Sequence, residues 1–178
     1  MRIEGVGNVA AVRAVTGGLI IGLVKRATAG TDIVITPAIA DILALADAGA
    51  DIVAFDATRR DGGLPASDMV AAAHGCGVLA MADIATIEDA RVACAGGADV
   101  LGTTLSGYTG GPVPEEPDLD LIVACAGLGC PVFAEGRIRT PAQARAALDR
   151  GAYAVVVGSA ITRVEHITGW FAQALRAP

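Results

Sequence analysis

Apolar and polar positions alternate along this chain in blocks rather than residue by residue. Six short runs, LIIGLV (19–24), DIVAFD (51–56), GVLAMAD (77–83), DVLGTT (99–104), PVFAEG (131–136) and AVVVGS (154–159), are almost continuously apolar. Strands buried on both faces of a parallel sheet read this way, because helices cover each side. The alanine-rich stretches between them, 39–48, 64–75, 86–95, 118–127, 141–150 and 164–176, carry helical spacing, as does 8–16. Capping signals mark two of their starts. In ATIEDARVACAGG, Thr86 is the N-cap with Asp89 three residues on; in RTPAQARAALDRG, Thr140 caps, Pro141 takes the first helical position and Gly151 falls just past the end.

LADAGADIVAFD, ACAGGADVLGTT and LDRGAYAVVVGS repeat one phrase: helix, glycine, strand. The glycine suits the position where a helix ends in a left-handed turn, and the strand follows by a short connection. With RIEG near the N-terminus as the tail of a strand, seven strands and seven helices alternate strictly. Such alternation fits an open doubly wound sheet or a closed barrel. Polar residues at the strand ends, Glu4, Lys25, Asp56, Asp83, Thr103, Glu135 and Ser159, favour the barrel, which lines one central site from every strand. The expectation is an α/β fold of the TIM (β/α)₈ barrel type, a single domain over 1–178, truncated to seven βα units.

Composition narrows the partners. The chain has 178 residues, 53% apolar but only 3% aromatic, so one core is packed from Ala, Val, Ile and Leu. A net charge of −6 offers no basic footprint for nucleic acid or an anionic membrane. No apolar run is long enough to cross a bilayer and no signal-like N-terminus is present, so the expected location is cytoplasmic. Cys76, Cys94, Cys125 and Cys130 lack metal-ligand spacing and read as reduced, buried thiols, with no metal site.

Lys25 follows directly on the apolar strand of IIGLVKRA, which sets its side chain at the barrel mouth over a hydrophobic wall, where desolvation lowers a lysine pKa toward the range of a general base. An ordinary loop charge is the competing reading, and Arg26 is as readily surface as site. Glu135 in VFAEGRI is a carboxylate after a buried run, costly unless paired or used. Asp83 in VLAMADI and Asp56 in IVAFDAT have the same form, with helix capping as the alternative for Asp83. Gly158 and Ser159 offer backbone N–H groups to an anion at a helix start, and Arg163 is placed to close over it. His74 and His166 read as a helix-face and a helix-terminus histidine. The loop GYTGGPVPEEPDLD is expected to cover the substrate, and Glu115 and Glu116 to start the helix after it.

Taken in order, RIEG, IIGLVKR, ITP, ADIVAFDAT, MAD, GTTLSGYT, EEPDL, AEGR, GSAITR and EHITGW resemble the N-acylglucosamine-6-phosphate 2-epimerase family, the N-acetylmannosamine-6-phosphate epimerases of sialic acid catabolism. The resemblance implies a (β/α)₈ barrel that inverts carbon 2 of an amino sugar 6-phosphate by removing and returning its proton, without a cofactor. By position, Lys25 is similar to the acid-base lysine, Glu135 and Asp83 to the carboxylates that orient it and the sugar, and Arg2 to a substrate-binding arginine. Arg163 and the Gly136, Arg137, Gly158 and Ser159 backbones correspond to the phosphate site. Members of the family carry a further strand and helix ahead of the position of Met1, with a glutamine in that strand, and are commonly homodimers. Two other readings remain open: a Schiff-base phosphosugar aldolase or lyase acting through Lys25, and a catalytically silent fragment that binds a sugar phosphate.

Overall fold

Seven short strands run parallel in one sheet, each hydrogen-bonded to the next in chain order: β1 (Arg2–Glu4), β2 (Ile21–Leu23), β3 (Ile52–Asp56), β4 (Leu79–Asp83), β5 (Val100–Gly102), β6 (Val132–Glu135) and β7 (Ala154–Val156). The computed structural model describes residues 1–27, 29 and 32–176. The helices are α1 (Val6–Arg13), α2 (Ile39–Asp47), α3 (Ala66–Gly75), α4 (Ile87–Ala95), α5 (Leu119–Ala126), α6 (Pro141–Asp149), the short α7 (Ser159–Thr162) and α8 (Val164–Ala174). A doubly wound sheet would reverse its strand order at a switch point, and this one never does. The sheet is also strongly curved. Arg2 on β1 bonds Glu135 on β6, although five strand spacings would separate them by about 24 Å in a flat sheet. The seven strands therefore wrap as a half-barrel, with β1 and β7 as its edges.

Two apolar layers sit on opposite faces of this wall. Val53, Phe55, Ala80, Ala82, Val132 and Ala134 pack outward with Val9, Ile42, Leu45, Met69 and Ile122 of the helices. Ile21, Leu23, Ile52, Ala54, Met81 and Val100 fill the interior with Phe133 beside them. Strand residues alternate faces, so the uninterrupted apolar runs resolve into two sets of opposite parity.

The capping signals hold. Thr86 Oγ1 accepts from the Asp89 N–H at 3.1 Å and the Asp89 carboxylate accepts from the Thr86 N–H at 3.0 Å; Thr140 and Gln143 form the same reciprocal pair at 3.2 and 3.1 Å. The repeated glycines, Gly49, Gly97 and Gly151, stand at φ of +94°, +90° and +99°, where a side chain is disfavoured. In two copies an aspartate follows and ties neighbouring strands together: Asp51 accepts from the Ile20 N–H and Asp99 from the Ala80 N–H, each at 2.8 Å. The third copy has Tyr153 instead, stacked on Phe133.

Several boundaries move. The first helix occupies Val6–Arg13 rather than 8–16, because Gly5 at φ +92° turns the chain directly out of β1. The fifth strand stops at Gly102 and continues as a 3₁₀ turn, Thr103–Leu105. Glu115 and Glu116 do not start α5; Asp118 caps it by accepting from the Leu121 N–H at 2.9 Å, and Glu116 accepts instead from Arg137 and Gln143. The reading of four reduced, buried thiols is corrected. Cys94 at the end of α4 and Cys130 before β6 are joined as a disulfide with their Cα atoms 6.4 Å apart, since the winding lays consecutive αβ corners side by side. Cys76 is exposed, while Cys125 is buried, its thiol pushed up to about 11 by burial and then by the Asp118 carboxylate. Among the described residues no helix is long and apolar enough to cross a membrane.

Candidate active site

The strand register decides which side chains meet. Asp56 pairs level with Asp83, Asp83 with Gly102, and Glu4 with Leu23, so the carboxyl ends form one rim. Interior parity then selects. Asp56 lies two residues beyond Ala54, Asp83 two beyond Met81, Glu135 two beyond Phe133 and Lys25 two beyond Leu23, and each of those predecessors belongs to the interior layer. On β1, Ile3 packs outward, which sends Arg2 and Glu4 inward.

Arg2 is the hub of this layer. Its Nη1 donates to Glu135 Oε2 at 2.5 Å, to Asp83 Oδ1 at 3.1 Å and to Thr104 Oγ1 at 3.1 Å, while Nη2 donates to Asp83 Oδ2. Thr104 Oγ1 also donates to Asp83 Oδ1 at 2.7 Å. The side chains of Arg2 and Asp83 are 7% and 0% exposed and that of Glu135 is 21% exposed, so only Glu135 reaches the cleft. Burial opposes charge on Arg2, but the Asp83 and Glu135 carboxylates outweigh it and hold its pKa above the ordinary value. Glu135 moves the other way: burial pushes its carboxyl up to about 7, opposed by the Arg2 guanidinium, reinforced by the Asp83 charge and opposed by the Lys25 ammonium.

That raised carboxyl couples folding to pH. The native chain holds a proton that the unfolded chain releases near pH 4.3, so the stabilisation is full below about pH 4 and is lost as pH rises through 7. Thermal melts between pH 5 and 8 should show the parent chain losing stability with rising pH and Glu135→Gln showing a flatter profile. Parallel profiles would remove Glu135 as the titrating group.

Gly102 makes the cluster geometrically feasible. A Cβ there would stand 2.6 Å from Asp83 Oδ1, 2.5 Å from Met81 Cε and 3.1 Å from Thr104 Oγ1. Met81 can flex, but the Asp83 carboxylate is clamped from two sides. Gly102→Ala is therefore expected to cost about 1–3 kcal/mol in chemical denaturation and to lower turnover through a displaced Asp83–Thr104 pair. An unchanged midpoint and rate would show that the methyl is accommodated.

A cleft of about 620 Å³ opens at this rim. Lys25 and Glu135 line it together with Gly136, Arg137, Gly158 and Ser159, so the proposed base and the proposed phosphate-binding backbone share one space. Lys25 is exposed to the cleft, and its backbone N–H donates to Glu4 Oε1 at 3.2 Å. Three expected residues are not on its wall. Arg2 and Asp83 stand behind Glu135, and Arg163 pairs with the neighbouring Glu165. Asp56 is likewise enclosed, held by Thr58 and by Arg60, which does line the cleft. Thr104, Tyr108, Arg139 and Trp170 were not singled out by sequence, and His166, read as a helix-terminus residue, also faces the space. His74 keeps its helix-face role, bonded to Asp99 at 2.8 Å. Among the described residues no group of three His, Cys, Asp or Glu side chains gathers to hold a metal.

A parallel half-barrel that gathers a lysine and a carboxyl at the carboxyl ends of its strands has the architecture of the barrel proteins, which build their sites on that face. Residues 1–177 match the model of the NanE family, described as "Putative N-acetylmannosamine-6-phosphate epimerase", and the chain belongs to that family. It is 51% identical over 176 residues to a Yersinia pestis protein named "Putative N-acetylmannosamine-6-phosphate 2-epimerase", covering 99% of this chain and 76% of that one. It is 52% identical over 178 residues to the "Bifunctional enzyme NanE/NanK" of Brucella melitensis, spanning 99% of this chain but only 34% of that protein. The solved N-acetylmannosamine-6-phosphate 2-epimerase of Clostridium perfringens superposes with a TM-score of 0.93 at 39% identity, over 97% of this chain and 77% of that one.

Proposed function

We propose that the chain epimerises N-acetylmannosamine 6-phosphate and N-acetylglucosamine 6-phosphate at carbon 2, in the cytoplasmic breakdown of amino sugars such as sialic acid. One observation carries this reading: Lys25 and Glu135 line the same cleft as the Gly136–Arg137 and Gly158–Ser159 backbones. The open-chain sugar has a weakly acidic C2–H beside its C1 carbonyl. Lys25, acting as the neutral amine, takes that proton and becomes an ammonium, the electron pair moves into the carbonyl to give an enolate, and return of a proton on the opposite face inverts C2 and leaves the enzyme with its starting proton count. A carboxyl whose pKa lies near 7 can hold or release a proton at neutral pH, which suits Glu135 to the exchange. Asp83 and Arg2 act behind it as positioning residues, fixing Glu135 through the 2.5 Å Arg2 bond. No step calls for a cofactor.

The test is incubation with N-acetylmannosamine 6-phosphate in deuterium oxide, followed by NMR of C2. Deuterium at C2 in both epimers is expected; folded protein that gives neither exchange nor the second epimer would refute the reading. A homodimer is part of the proposal: α8 leaves Phe171 and Leu175 exposed, an apolar face suited to a second copy.

A further inference from the structure

β2 pairs with β3 only through Ile21 with Ile52 and Gly22 with Val53, so the stretch of chain that runs on from β2 to Lys25 is not paired with β3. Residues 34–36 fill that gap. The Arg26 N–H donates to the Val34 carbonyl at 3.0 Å and the Thr36 N–H to the Val24 carbonyl at 2.8 Å, an antiparallel bridge that sets Ile35 opposite Lys25. On the other side, the Asp56 N–H donates to the Ile35 carbonyl at 3.1 Å. Thr36 closes the arrangement with its side chain. Its Oγ1 accepts from the Val24 N–H at 3.3 Å and donates to the Ala54 carbonyl at 2.6 Å, so one hydroxyl ties the residue before Lys25 to β3.

Thr36 does this in an unfavourable conformation. It is 1% exposed and stands at φ +45°, although a β-branched side chain disfavours that region and the following Pro37 steers the residue before it toward extended backbone. A glycine would reach the same φ freely but carries no hydroxyl. Backbone held away from its preferred region by surrounding contacts clusters at functional sites, and here the held residue, Val24, is the one before Lys25. We infer that Thr36 is a positioning residue for Lys25: its hydroxyl clasps the free end of β2 to β3 and fixes the direction in which the lysine enters the cleft. This rests on the reading of Lys25 as the acid-base group. Glu4 steadies Lys25 from the β1 side through its 3.2 Å bond, and Thr36 supplies the β3 side.

Thr36→Ser keeps the hydroxyl and should retain most of kcat. Thr36→Val keeps the shape without the hydroxyl, and Thr36→Gly removes the hydroxyl while relieving the backbone. Both should lower kcat for epimerisation by about 10- to 100-fold, the effect of misplacing a reacting group by about 1 Å, with KM changed less than about threefold. A second readout needs no turnover. Lys25 is the only lysine, so reductive methylation with ¹³C-formaldehyde gives one side-chain NMR signal besides that of the N-terminal amine. In the parent chain and in Thr36→Ser that signal should shift when Glu135→Gln removes the charge that Lys25 faces; in Thr36→Gly it should not. If Thr36→Val does not fold, the glycine variant decides. Parent-like kcat in Thr36→Gly overturns the positioning role. So does an equal loss in Thr36→Ser, or a Lys25 signal whose response to Glu135→Gln is the same whatever stands at position 36. A parent chain that gives no deuterium exchange, but whose Lys25 signal is governed by Thr36, upholds the positioning and sinks the epimerase reading. Exchange in the parent chain with full kcat in Thr36→Gly does the reverse.

Discussion

Lys25→Met is expected to lower kcat/KM for epimerisation by about 10²- to 10⁴-fold, the usual contribution of a positioned acid-base group, and to suppress deuterium exchange at C2 in parallel. The side chain is exposed to the cleft, so the fold should survive, with a melting curve close to the parent's. Lys25 is the only lysine in the sequence, which gives a second measurement. Reduction with borohydride in the presence of sugar phosphate traps a Schiff base irreversibly, and in this chain a side-chain adduct has a single possible address. Epimerisation by proton transfer predicts no adduct and full recovery of activity after the reagent is removed. A trapped sugar on Lys25 with lasting loss of activity would replace the epimerase with an aldolase or lyase. Exchange that persists in Lys25→Met would move the base to Glu135.

The sequence marked Lys25, Asp83 and Glu135 because a strand end is a local feature: an apolar run stops at a charge, and parity then decides the side on which it emerges. Helix caps were legible for the same reason, since Thr86 with Asp89 and Thr140 with Gln143 are three residues apart. What stayed hidden depends on curvature. Arg2 meets Glu135 across 133 residues only because the half-barrel brings β1 opposite β6, and nothing local to RIEG distinguishes a hub from a substrate ligand. Arg139 and Trp170 lie 31 positions apart in a loop after β6 and in α8, and neither carries a motif that requires the other. Arg163, expected at an anion from its place after GSAIT, is paired with the acid two residues on in the folded chain. The disulfide was missed similarly, because Cys94 and Cys130 are adjacent only after the αβ corners stack.

Removal of the hub should have the largest effect on stability. Arg2→Met keeps much of the side-chain volume but leaves the buried Asp83 carboxylate with Thr104 as its remaining side-chain donor, and Glu135 without its 2.5 Å partner. Breaking a buried pair by deleting one ion typically costs about 3–5 kcal/mol, because the surviving charge stays out of water. Arg2→Lys should recover little of this, since a single ammonium cannot replace a fork that reaches both Asp83 oxygens and Glu135. The informative variant is the double one. If the cost is the orphaned charge, Arg2→Met with Asp83→Asn should be markedly more stable than the sum of the single changes, with a coupling of about 1–3 kcal/mol in denaturant unfolding. Simple additivity would mean that Arg2 stabilises the sheet edge by packing its stem rather than by its charge. Activity separates the two roles further: the double variant should regain its fold yet remain slow, because Glu135 has still lost the donor that holds its carboxyl in position at the cleft.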